Sequence, residues 1–102
     1  MALKLQPNPT FKAKVEVPVA GGEPESIEFT FKHRSRKALQ EYIDGMKDKT
    51  DPDLIMDVAC GWELTDEFTV ENVTLLSENY IKAPGAVWAT YMAELTKAKE
   101  KN

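Results

Sequence analysis

The side chains able to do chemistry are few, and their spacing limits what they can do. Nucleophilic catalysis needs a thiol or hydroxyl beside a base, and the chain has one cysteine, Cys60, and one histidine, His33. His33 lies among Lys32, Arg34 and Arg36, a basic cluster that disfavours its protonation rather than orienting it, and Cys60 reads as filling space in the last turn of a helix. A lone thiol forms no internal disulfide, and one thiol with one imidazole makes no structural zinc set. Carboxylates are abundant enough for paired acid and base work, yet they occupy short stretches beside loops without the signature of a cleft. Between Asp48 and Asp57, Pro52 and Leu54 stand where a calcium loop needs ligands and its turn glycine. The adjacent Gly21 and Gly22 lack the lysine and serine or threonine of a phosphate-binding loop. These residues predict no catalytic, cofactor or metal site, and hence a protein that is not an enzyme.

The elements that carry these residues follow from periodicity. In "TFKAKVEVP" Phe11, Ala13, Val15 and Val17 alternate with Lys12, Lys14 and Glu16, and in "SIEFTFK" Ile27, Phe29 and Phe31 alternate with Glu28, Thr30 and Lys32. A period of two marks half-buried strands. The intervening "PVAGGEPE" supplies glycines for positive φ and Pro24 as a stop. An isolated hairpin is marginally stable, so its apolar face needs a cover of helices. Ser35 is the expected cap of a first helix with Leu39, Tyr42, Ile43 and Met46 on one face, whose last turn is weakened by Gly45. Asp51 as cap and Pro52 at the first position announce a second helix carrying Leu54, Ile55 and Val58, stopped by Gly61. Thr69 caps a third with Val73, Leu76 and Tyr80, and Pro84 opens a fourth with Val87, Trp88, Tyr91 and Leu95. The predicted fold is α+β: an antiparallel β-hairpin, residues 10–18 and 25–33, on about four short α-helices. Residues 1–9 are expected to form a flexible arm, 10–96 a single domain and 97–102 a charged tail.

Composition bounds the function. Among 102 residues, 42% are hydrophobic and 29% charged, a globular balance. The net charge of −4 is unevenly spread: residues 41–80 hold eleven Asp or Glu against two Lys, while both flanks are mildly basic. Phosphate binding needs a continuous basic face, so nucleic acid is not an expected partner, and Lys32 to Lys37 read as a solvated helix start. No apolar run reaches the roughly 18 residues that span a bilayer, and "MALKLQPNPT" lacks the features of a secretory signal. The expected location is the cytoplasm, with no membrane partner.

The stretch "GWELTDEFTVENVTLLSENY", Gly61 to Tyr80, joins a tryptophan, a patch of acid and a helix start. It reads either as an ordinary loop and helix entrance or as a docking surface for a basic protein. From Gly61 to Leu95 the chain resembles the tail assembly chaperones of long-tailed bacteriophages and prophages. The resemblance rests on "GWELTDEFTVENV", then "NY", "PGA" and an aromatic helix ending in "EL", about a third of the chain. It departs from the family pattern where Ile81, Lys82 and Ala83 separate Tyr80 from "PGA", which leaves the register of the last helix open.

The resemblance implies a non-catalytic chaperone that binds the tape measure protein and helps recruit tail tube subunits in the bacterial host cell. Its candidate contact residues are Trp62, Asp66, Glu67, Phe68, Tyr80, Trp88 and Tyr91, each with core packing or solvation as the plainer reading. Family members also produce a longer product by ribosomal slippage, and "EKN" at 100–102 can be encoded by a slippery run. The alternatives are a minor tail or connector subunit retained in the virion and a regulatory binding module of a mobile element. Self-association is open to the strands of Val15 or Phe29.

Overall fold

A computed structural model describes residues 3–97. Strands β1 (Thr10–Val17) and β2 (Glu25–Lys32) form the expected hairpin, in a register that sets Val15 opposite Ile27 and Ala13 opposite Phe29. Gly21, at φ 73°, makes the left-handed turn between them. Four helices follow: α1 (Arg36–Asp44), α2 (Asp51–Val58), α3 (Val70–Asn79) and α4 (Ala83–Thr96). The α+β class is therefore as the sequence predicts. Residues 3–9 carry no helix or strand and are exposed. The tail beyond Lys97, with the slippage candidate at 100–102, lies outside the described residues.

The sheet has a third strand. Val58 ends α2, Ala59 is already extended, and Ala59–Trp62 forms β3, which pairs antiparallel with β2 through a bulge at Thr30 and Phe31. This corrects three expectations. Gly61 does not stop a helix but lies in a strand opposite Thr30, Cys60 is an exposed strand residue rather than part of a helical turn, and the ribbon has three strands. The tetrapeptide "ACGW" is too short to show a period of two, and its conformation comes from the edge that β2 offers. With the order β1-β2-β3, β2 is internal, so Phe29's strand has no free edge for self-association whereas Val15's retains one.

Helix starts are set by local hydrogen bonds. Ser35 Oγ accepts from the Ala38 amide at 3.2 Å and Thr69 Oγ1 from that of Asn72 at 3.1 Å, as expected of those caps. At α2 the cap is Thr50, not Asp51: the Thr50 amide donates to Asp53 Oδ2 at 3.0 Å, one half of a capping box. That hydrogen bond holds the Asp53 carboxyl below its ordinary pKa.

The core lies between the sheet and the helices. Val15, Val17, Phe29 and Phe31 meet Leu39, Ile55, Val58, Val73, Ala83, Val87 and Tyr91 there. Helix α4 lies against β1 and α2, and α2 also meets α3. Ser77 is buried on α3, where its hydroxyl donates to the Val73 carbonyl at 2.9 Å. Val73 and Ser77 thus mark the inner face of α3, and the helix is turned so that Tyr80 lies outside the core.

Candidate functional site

The contact residues expected from the sequence separate into two places. Trp88 and Tyr91 belong to a network among β2, α1 and α4. Tyr91 is 0% exposed and its ring lies 5.5 Å from that of Phe31, so it offers no surface to a partner. Arg34 Nη1 donates to the Tyr91 hydroxyl at 3.0 Å, and the same guanidinium lies 4.3 Å from the centre of the Tyr42 ring. Trp88 Nε1 donates to the Tyr42 hydroxyl at 3.1 Å. Burial raises the pKa of Tyr42, partly offset by that bond. Lys49 Nζ, 3.0 Å from Asp57 Oδ2, closes the α1–α2 connection onto α2, and the pairing raises the lysine's pKa. This network holds elements together.

Trp62, Asp66 and Tyr80 line a groove of about 670 Å³, and Phe68 packs against Trp62. One wall is the far end of the hairpin: Val17, Val19, Glu25, Ser26 and Ile27. The floor is Trp62 and the segment after it, and the opposite wall is α3 with its exit residue Tyr80. Of the apolar side chains on the hairpin wall, Val17 is buried while Val19 and Ile27 are half-buried and line the groove opposite α3.

Trp62 is fixed on three sides. Its indole Nε1 donates to the Asp66 carbonyl at 2.7 Å, its ring meets Phe68 edge-on at 5.0 Å, and Phe29 lies 5.9 Å away. The indole bond closes the loop 62–66 into a compact floor. Phe68 supports that floor from the core side rather than lining the groove. Asp66 and Glu67 are exposed, and the Glu67 carbonyl accepts from Asn72 Nδ2 at 2.8 Å, joining the loop to α3. Glu63 Oε2 accepts from the Glu28 amide at 2.8 Å while the Glu63 amide donates to the Glu28 carbonyl at 3.0 Å, which continues the β2–β3 pairing into the floor.

Several groove residues escaped the sequence reading. Leu75 is 59% exposed and Tyr80 38%, and Val70 and Ile81 extend this apolar exposure along α3 and beyond it. A signal was present: Leu75 is an apolar residue on the opposite side of α3 from Val73. Val17 and Ile27 were legible as apolar strand positions, but not, with Val19, as one wall of a groove. The groove combines apolar walls with carboxylates, a lining suited to an apolar surface with a polar or basic border.

Among the described residues no helix is long and apolar enough to cross a membrane. Comparisons with curated proteins and with solved structures returned no significant match. A family model for phage tail assembly chaperones matches residues 1–102, the full length of the sequence, and the chain therefore belongs to the phage tail assembly chaperone family.

Proposed function

We propose that this chain acts in tail assembly by holding the tape measure protein in the host cytoplasm and bringing tail tube subunits to it, without catalysing a reaction. The observation that carries the reading is the groove between the hairpin tip and α3, with Trp62 on its floor and Leu75 and Tyr80 exposed on its wall. A long client with apolar helical ridges aggregates unless those ridges are covered, and a groove of this kind covers them reversibly. Binding the client in its free form shifts the client's equilibrium away from aggregation by mass action, and tube subunits that compete for the same ridges release it.

Co-expression with the tape measure protein tests the proposal. The client is expected to remain soluble and to co-elute with this chain on size exclusion, and Leu75→Ala with Tyr80→Ala is expected to lower the co-eluting fraction. A client that precipitates with or without this chain, together with recovery of the chain from purified particles, would instead identify a structural subunit of the tail.

A further inference from the structure

We infer that the groove takes an amphipathic α-helix whose apolar ridge is flanked by Lys or Arg. The inference rests on the reading of this groove as the client-binding surface, and it specifies the chemistry of what enters.

The case for a helix is geometric. The α3 residues lining the groove include Asn72, Leu75, Leu76 and Asn79, spaced i, i+3, i+4 and i+7. That spacing forms one continuous stripe of a helix, the surface into which the ridges of a second helix fit. Across from it stand Val19 and Ile27, half-buried apolar side chains at the end of the hairpin, beside buried Val17. A helix laid between them completes the layer of helices under the sheet.

The case for basic flanks is the distribution of charge. The segments that supply the walls and floor, 17–27 and 61–80, contain seven Asp or Glu and no Lys, Arg or His. The rest of the chain holds thirteen Lys or Arg against ten Asp or Glu, so the excess of negative charge over the whole molecule comes from the segments around the groove. Glu25 and Asp66 line the groove, as does Glu63, whose carboxylate is already used by the Glu28 amide. An apolar ridge flanked by cations satisfies walls and rim together, whereas one flanked by carboxylates meets repulsion along its length.

The test uses the full chain and two labelled synthetic peptides of about five helical turns. Both carry Leu at i, i+3, i+4 and i+7; one has Lys at the remaining positions and its twin has Glu. Fluorescence anisotropy should show the Lys peptide binding at least about tenfold more tightly than its twin, with the preference shrinking as salt rises from about 0.05 M to about 0.5 M. Glu25→Gln with Asp66→Asn should weaken the Lys peptide by about three- to tenfold. Glu41→Gln with Asp48→Asn, an equal change of charge at two exposed residues that do not line the groove, should leave it unchanged. Leu75→Ala should weaken binding while preserving the far-UV circular dichroism of the free protein, and the bound peptide should gain helical signal.

Equal affinity for the two peptides, equal effects of the two charge-neutralising pairs, an inert Leu75→Ala, or a bound peptide without helix would each overturn the inference. Failure of the Lys peptide alongside co-elution of the client would remove this inference and leave the proposed function standing. Groove binding of the Lys peptide without co-elution of the client would do the reverse.

Discussion

Arg34 contacts two tyrosines at once, and that gives it a measurable role at the level of a single residue. It donates to the hydroxyl of buried Tyr91 and stacks on Tyr42. Replacing it by methionine keeps much of the apolar stem but removes the donor, and the expected loss is about 1–3 kcal/mol of stability in urea melts. Adding Tyr91→Phe to Arg34→Met should cost less than Tyr91→Phe costs alone, because the hydroxyl has then already lost its partner. Purely additive losses would show that the bond contributes nothing. Asp53 makes a prediction about pH. Its pKa is lowered by the Thr50 amide, so its contribution is present above the ordinary carboxylate range near pH 4 and is lost as pH falls through the depressed value. The stability difference between wild type and Asp53→Asn should therefore be largest near neutral pH and shrink under acid. A difference that stays constant down to strongly acidic pH would assign the capping effect to something other than this carboxylate.

At the scale of elements, α3 is asked both to stay folded and to present Leu75. Thr69 caps it through the Asn72 amide, so Thr69→Ala should cost about 1 kcal/mol in thermal or urea unfolding. Leu75→Ala should cost much less, since that side chain is mostly outside the core. If Leu75→Ala proved the more damaging, the leucine would be a core residue and the groove wall would need another account. The contrast also shows which parts of the fold were readable in advance. The hairpin and the four helices were legible because alternation and capping residues are local signals: Phe11 to Val17, Ser35 and Thr69 each declare themselves within a few residues. Strand β3 was not, because Ala59 to Trp62 carries no pattern of its own and takes its form from β2, thirty residues earlier in the chain. The same divide runs through the site. Trp62, Asp66 and Tyr80 were found because they lie in one stretch, while Val17, Val19 and Ile27 join them only through the fold. Trp88 and Tyr91 looked equivalent to them by residue type, and only burial against Arg34, Tyr42 and Phe31 separates the two groups.

For the whole molecule, the arrangement of charge and of sheet edges bears on how copies meet one another. The order β1-β2-β3 leaves β1 with eight residues along an outer edge, while β3 exposes only a four-residue edge. A long free edge is where a second copy can add a strand, and Lys12 and Lys14, both exposed on β1, oppose that by placing cations along the strand that would pair. The free edge of β1 and the surroundings of the groove carry opposite charge. Lys12 and Lys14 lie on β1, whereas Glu25, Glu63 and Asp66 line the groove. Replacing Lys12 and Lys14 by threonine keeps strand propensity and removes the guard, so sedimentation velocity at rising protein concentration should show greater self-association than in wild type. Peptide binding in the groove should persist, because neither lysine lines it. If the double variant sedimented like wild type at every concentration, the edge would be protected by something other than its lysines; if it associated and lost peptide binding as well, the edge and the groove would be one surface rather than two.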